Sequence, residues 1–306
     1  MAGKAVTEPM GERMQEGFIA VDWGTTNRRA YRIGPDGACT GEMEDDRGML
    51  SVGRGEFPAA AAEIRERLGD YPLLMAGMVG SNRGWVEAPY VPCPAGPEEV
   101  AQHLVWAEEG RTAIVPGLSY RDDDHCDVMR GEEVQILGAL ASGLVPRTCL
   151  ICHPGTHNKW INVVEGRVLS FRTVMTGELF SLLKERSILA DLLAQPADTG
   201  EAFHEGVRRG LSHDGLTAEL FSVRARVLLG EGRREDAASY TSGLLIGADI
   251  RVGLREEPEA EVIVMGRPEL TGLFASALVE AGQEAREVDG EEAFVAGIKA
   301  IAEELP

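Results

Sequence analysis

The sequence predicts an α/β protein with mixed sheets. Three observations carry that prediction. Apolar runs of strand length alternate with segments of helical period along the chain. The runs near residues 18 and 148 each open a hairpin instead of a βαβ crossover, and the same kind of turn follows both.

Phe18 to Asp22 is a short apolar run closed by an aspartate, and after WGTTN the segment Arg29 to Ile33 reads as the returning strand. Phe57, Ala60, Ile64 and Leu68 mark one face of a helix over 56–68. Leu73 to Ala76 is a buried strand, followed by the loop GMVGSNRGW and a Pro-rich stretch over 89–97 that is expected to be irregular. Thr112 to Val115 is another short strand. After the acidic loop 122–127 a helix is expected over 129–141, with Asp127 as its N-cap and Met129 to Glu132 as its first turn.

Thr148 to His153 leads into PGTHNKW and a hairpin over 160–164 and 168–174. Helical segments are expected near 178–194, 201–211 and 235–254, then a buried strand over 261–265 ending at Gly266. Helices over 269–281 and 291–304 close the chain.

At 306 residues the chain is long enough for one large or two moderate domains. Fifty acidic against 30 basic residues give a net charge of -20. That balance opposes nonspecific binding to nucleic acid or anionic membranes while leaving room for a local basic pocket. No apolar run reaches the roughly 18 residues of a membrane span. The Cys149/Cys152 pair has C-x-x-C spacing, but TCLICH reads as a buried strand and not as a redox helix start. Residues 1–17 lack a signal-peptide core and read as a flexible extension, and the protein is expected in the cytoplasm.

Aligning FIAVDWGTTNRR with CLICHPGTHNKW sets Asp22 against His153, Gly24 against Gly155, Thr25 against Thr156, Asn27 against Asn158 and Arg28 against Lys159. Gly-Thr-x-Asn-basic after an apolar strand thus occurs twice, which duplicated half-domains explain. Glycine lets a turn approach an oxyanion, amides and threonine hydroxyls donate, and the basic residue adds charge. Gly24, Thr25, Thr26, Gly155, Thr156, His157 and Lys159 are therefore candidate ATP-phosphate contacts, with Asp22 available to Mg2+ or its water shell. Neither a Walker nor a dinucleotide glycine motif offers a rival site. Ordinary tight turns with backbone-capping threonines are the alternative reading.

The blocks VDWGTTNRRAYRI, MAGMVGSNRGWVEAPYV, DVMRGEEVQILGAL, HPGTHNKWI, FRTVMTGELF and SGLLIGADI closely resemble the 2-dehydro-3-deoxygalactonokinases over about residues 18–302. The resemblance implies the sugar-kinase, actin and heat-shock ATPase fold, with two ribonuclease-H-like domains of mixed sheets closing over ATP. The expected domains are 18–125, joined by the last helix at 291–304, and 126–290. It also implies phosphorylation of 2-dehydro-3-deoxy-D-galactonate on O6. In such kinases the first phosphate motif is Asp-x-Gly-Thr, here Asp22 to Thr25, whereas the second begins with His153 where an acidic residue is usual. Adenosine is expected near Gly266.

Phosphoryl transfer also needs a proton acceptor. Asp127 resembles the catalytic aspartate of related sugar kinases, with Asp124 as substitute, and Glu132 or Glu133 are candidates to orient sugar hydroxyls or metal-bound water. The acceptor's carboxylate calls for arginine, so Arg47, Arg83, Arg130 and Arg172 are candidates beside Ser81 and Asn82 in their glycine-flanked loop. Thr176 and Glu178, where a strand gives way to a helix, are further substrate or phosphate candidates. Trp85 and Trp160 suit either pocket wall or core. Partners reduce to a small sugar acid, with a homodimer as the base-rate assembly. A kinase for another 2-keto or aldonic acid, or a non-catalytic nucleotide-binding sensor, is the alternative.

Overall fold

The computed structural model describes residues 10–255 and 260–305, and the chain divides into two compact units. The first comprises residues up to Arg147, Glu165–Ser170 and the C-terminal segment from Gly290; the second comprises Thr148–Val164 and Phe171–Asp289.

The first unit begins with helix α1 (Met10–Gln15), followed by β1 (Phe18–Trp23), β2 (Arg28–Ile33) and β3 (Cys39–Asp45) as an antiparallel meander. Helix α2 (Phe57–Leu68) then returns the chain to β4 (Leu73–Gly77), which runs parallel to β1. Strand β5 (Tyr90–Pro92), helix α3 (Pro97–Ala101) and the antiparallel pair β6 (Val105–Glu108) and β7 (Thr112–Ile114) follow. The main sheet has the order β3-β2-β1-β4-β7-β6. Strands β8 (Gly117–Arg121) and β9 (Cys126–Met129) form a hairpin that joins β5 in a small sheet, and helix α4 (Glu132–Ala141) comes next.

The second unit repeats the plan. Strands β10 (Cys149–His153) and β11 (Asn158–Val164) pair antiparallel, and β12 (Arg167–Val174) forms the edge. Helices α5 (Thr176–Arg186), α6 (Glu201–Ser212), α7 (Leu216–Leu229) and α8 (Ala237–Gly253) precede β13 (Val262–Gly266), helix α9 (Pro268–Glu280) and β14 (Ala285–Asp289). The order β12-β11-β10-β13-β14, with β13 parallel to both neighbours, matches the first five strands of the first sheet. Duplication is thus visible in topology as well as in the two turns. The last helix, α10 (Gly290–Glu303), belongs to the first unit.

Burial explains the strand signals. Ile19, Val21, Trp23, Leu73 and Met75 are fully buried with Phe57 and Ile64 of α2, and each such side chain contributes about 1.5–3 kcal/mol relative to exposure. Trp23 meets Phe57 edge-on at 5.7 Å, while Trp85 stacks on Phe57 at 6.2 Å, so Trp85 serves this core. In the second unit Leu150, Cys152, Val262 and Val264 pack with Phe203, Ile246 and Phe274 of α6, α8 and α9. Cys149 and Cys152 are buried free thiols, pushed up by desolvation, to about 11 for Cys149. Among the described residues no helix is long and apolar enough to cross a membrane.

Several expectations are corrected. Residues 10–15 of the expected flexible extension form α1, tied down by buried Met14 and by Arg13 Nη1 donating to the Gly110 carbonyl at 2.8 Å; residues 1–9 lie outside the described residues. Tyr90–Pro92, within the stretch expected to be irregular, is a strand because it borders β8. Helix α4 starts at Glu132, since the four residues before Arg130 pair with β8 and Gly131 takes φ 103. Asp127 is therefore a strand residue, paired with Tyr120, and not an N-cap. The first unit extends past residue 125 to Arg147, carrying α4 with it: Gly138 and Gly297 let α4 and α10 meet backbone to backbone, where a Cβ on Gly138 would stand 1.8 Å from the Ala293 oxygen. Strands β3, β6 and β14 and helix α7 lie outside the sequence expectations; β3 and β14 are sheet edges with few buried positions, which removes the alternation that betrays a strand.

Candidate active site

In the first unit the turn after β1 is fixed from behind. The Gly24 N–H donates to the Asn27 carbonyl at 3.0 Å, and the carbonyls of Gly24, Thr25 and Thr26 accept from Met49 at 2.9 Å, Leu50 at 3.1 Å and Gly48 at 3.0 Å. Gly48 must lack a side chain, because a Cβ there would overlap the Thr26 backbone at 2.2 Å. Trp23 Nε1 donates to the Arg47 carbonyl at 3.0 Å and anchors the same loop. With every carbonyl of Gly24 to Thr26 engaged, the amides of Thr25 and Thr26 have no protein acceptor among the described residues and are able to meet an anion.

Asp22 lies at the end of β1, half-buried. Gly77, at the end of β4 with φ 94, passes so close that its Cβ position is 2.8 Å from the Trp23 carbonyl and 3.5 Å from Asp22 Oδ1. Gly131 in turn has its Cβ position 3.4 Å from the Gly77 Cα. The ends of β1 and β4 and the start of α4 therefore converge. There the acidic first turn of α4 folds back on the backbone: Glu132 Oε2 accepts from the Arg130 N–H at 3.1 Å and Glu133 Oε2 from the Gly131 N–H at 2.6 Å. Burial, and then the neighbouring Glu132, push the fully buried Glu133 carboxyl up to about 8. Asp127 is half-buried four positions before Gly131, with Oδ1 accepting from the Val128 N–H at 2.8 Å.

The arginine candidates separate. Arg47 forms an ion pair with Glu63. Arg130 lies 4.5 Å over the Tyr90 ring and donates through Nη2 to the Ala88 carbonyl at 2.6 Å, so it supports the loop around Gly80. Arg83 is exposed beside Ser81 and Asn82, in a loop folded by Ser81 and Gly84 backbone bonds. Arg172 is exposed on β12. Arg28, aligned with Lys159, turns inward. It is fully buried, bonds Asp45 through Nε at 3.2 Å and Nη2 at 2.6 Å, and stacks 5.0 Å from Trp23, so it gives the first turn no phosphate charge.

In the second unit the Gly155 N–H is held by the Asn158 side chain, Oδ1 accepting at 2.7 Å. Among the described residues the amides of Thr156 and His157 have no protein acceptor, and the Thr156 carbonyl accepts from the Glu178 N–H at 2.9 Å. His157 Nε2 lies 2.5 Å from Glu178 Oε2, and Lys159, buried, donates to the His157 carbonyl at 3.2 Å. Thr176 opens α5 but is buried, its hydroxyl donating to Asp249. Gly266, with φ 156, ends β13 with its Cβ position 3.6 Å from the Pro154 carbonyl, at the same edge of the sheet as the turn. Trp160 is a core residue whose indole N–H also donates to Asp249, at 2.7 Å. Reasoning from the sequence misses Asp249; its setting inside the apolar run SGLLIGADI is the available signal, since a lone acid there must be paired.

Two sheets of one topology, each leading from β1 or β10 into a Gly-Thr turn, define the sugar-kinase and actin-like ATPase fold. The fold comparison agrees: component A of the (R)-2-hydroxyglutaryl-CoA dehydratase of Acidaminococcus fermentans aligns over 94% of this chain and 97% of its own, with TM-score 0.50 at 15% identity. Nearer relatives are narrower in kind. The 2-dehydro-3-deoxygalactonokinase of Escherichia coli (strain K12) is 38% identical over 291 residues, 93% of this chain and 97% of the relative. A Rhizobium meliloti (strain 1021) protein described as a probable enzyme of the same name is 38% identical over 299 residues, 93% and 96%. The crystal structure of a Sinorhizobium meliloti protein assigned to that kinase superposes with TM-score 0.85 at 36% identity, over 93% of this chain and 98% of that one. The 2-keto-3-deoxy-galactonokinase family model matches residues 22–301, and the chain belongs to this family.

Proposed function

We propose that this chain transfers the γ-phosphoryl group of ATP to the 6-hydroxyl of 2-dehydro-3-deoxy-D-galactonate. The observation that supports it most is the pair of braced Gly-Thr turns, each at the end of a buried strand, in a member of a sugar-kinase family. In this reading the amides of Thr25 and Thr26, and those of Thr156 and His157, contact nucleotide phosphates, and Gly266 flanks the adenosine.

Among the described residues no cluster of three or more His, Cys, Asp or Glu is able to cage a metal. A single carboxylate still fits Mg2+, which is commonly held by one or two carboxylates together with substrate phosphates and water. Asp22, with His153 in the corresponding place of the second turn, is that carboxylate. When bound with the nucleotide, the ion supplies charge neutralisation at the phosphates.

The 6-hydroxyl oxygen attacks the γ-phosphorus, the bond to the β–γ bridging oxygen breaks, and ADP departs with the electron pair. The hydroxyl proton passes to the Asp127 carboxylate. Arg83, with Ser81 and Asn82, binds the acid end of the sugar. The enzyme acts in the cytoplasm as a homodimer.

The test is an ATP and magnesium assay across 2-keto-3-deoxy sugar acids and neutral hexoses, reading acceptor-dependent ADP and locating the new phosphate by 31P NMR. The reading expects turnover on 2-dehydro-3-deoxy-D-galactonate with phosphate on O6. Turnover on a neutral hexose alone, or nucleotide binding with no acceptor-dependent ADP, rejects it.

A further inference from the structure

Asp249 sits on α8, 1% exposed. Burial pushes its carboxyl up to about 6, against the pull of three hydrogen bonds from Thr176, Trp160 and Asn158. Oδ1 accepts from Trp160 Nε1 at 2.7 Å; Oδ2 accepts from Asn158 Nδ2 at 2.5 Å and from the Thr176 hydroxyl. A polar group buried in an apolar helix face is costly unless its acceptor sites are used, and here the donors come from residues on two elements, β11 and α5.

Two of those donors lead directly to the second turn. A carboxylate only accepts, so it dictates which end of the Asn158 amide faces it. With Nδ2 held by Asp249, Oδ1 must point the other way, and it receives the Gly155 N–H at 2.7 Å. Thr176 fixes the start of α5, whose next residues touch the same turn. Gly177 packs against the Gly155 carbonyl and the Glu178 N–H donates to the Thr156 carbonyl at 2.9 Å. One carboxylate thus braces both the Gly155–His157 turn and the start of α5.

We propose that Asp249 is a positioning residue for nucleotide phosphate, locking the Gly155–His157 turn and the start of α5 into one anion-binding shape through Asn158 and Thr176. The proposal rests on the reading of this turn as a phosphate contact. Asp249 itself touches no ligand. Replacing it with asparagine, an isostere, supplies one acceptor oxygen for three donors and turns an amide toward one of them, which frees the Asn158 amide to flip and the turn to open.

The experiment compares Asp249→Asn, Thr176→Val and Thr156→Pro with the unaltered chain, measuring KM for ATP, KM for the sugar acid, kcat, and ADP affinity by calorimetry, with thermal melting and near-UV circular dichroism as controls for folding. The expected result is a rise of about tenfold or more in KM for ATP and in the ADP dissociation constant for both Asp249→Asn and Thr176→Val, with KM for the sugar acid within about twofold. A role limited to stability predicts lower melting temperature and less active enzyme at unchanged KM for ATP, and that result overturns the proposal. If Asp249→Asn does not fold, Thr176→Val decides by the same criterion. Thr156→Pro, which deletes the amide N–H that the phosphate reading uses, separates the two failures. A raised KM there with normal values for the Asp249 and Thr176 variants rejects the positioning role alone. An unchanged KM there rejects the phosphate reading of the turn, and the proposal with it.

Discussion

Gly177 approaches Gly155 so closely that a Cβ on Gly177 would lie 2.4 Å from the Gly155 carbonyl oxygen and 2.9 Å from the Thr156 Cα. Helix α5 begins at backbone contact with the second turn because position 177 carries no side chain. Gly177→Ala should push the two apart, costing about 1–3 kcal/mol through overpacking. The expected outcome is a fall of about tenfold or more in kcat/KM for ATP together with a lower melting temperature. An unchanged kcat/KM in the folded variant would remove this turn from nucleotide binding.

Asp127 lies in β9 with one oxygen on the Val128 N–H, and Asp124 lies in the exposed loop before it. A positioned base contributes about 10²–10⁴-fold to such a transfer. Asp127→Asn should therefore lower kcat by about that factor at unchanged KM for ATP, whereas Asp124→Asn should retain near-normal turnover. Stopped-flow ADP release on both variants checks this, and the reverse pattern would move the proton acceptor to Asp124.

Glu133 supplies a pH signature. Its carboxyl stands at about 8 in the folded chain against an ordinary value of 4.5. Between those values the folded state keeps a proton that the unfolded state has lost, so this group's contribution is full below about 4.5 and is lost as pH rises through about 8. Glu133→Gln keeps an acceptor for the Gly131 N–H without the titration. Urea unfolding at about pH 5, 6.5 and 8 should show the unaltered chain losing stability relative to the variant by roughly 1 kcal/mol per pH unit. A constant difference would mean that Glu133 is ionised when folded.

Arg28 tests the asymmetry of the repeated turns. It is buried against Asp45 and Trp23, so Arg28→Ala strands the Asp45 carboxylate and should cost about 3 kcal/mol. Calorimetric melting should register this, while KM for ATP in the folded fraction changes by less than about threefold. A large rise in KM at unchanged stability would return Arg28 to the phosphate site.

The sequence by itself determined the α/β class, the two hairpin starts and the paired turns, because apolar period and the glycine-threonine punctuation are local properties of the chain. It also carried the family, through long blocks whose spacing the family match spans. Edge strands such as β3 were hidden because their side chains lack a buried face. Only the tertiary structure decided what the polar groups do. Aligned Arg28 and Lys159 have different partners, the first bonding Asp45 and the second the His157 carbonyl of the turn itself. Asp127 became a strand residue through pairing with β8. Asp249, 91 residues from Asn158, became the acceptor behind the second turn. The physical reason is that a buried charge or amide takes its meaning from its partners, and those partners are brought together by folding and not by neighbourhood along the chain.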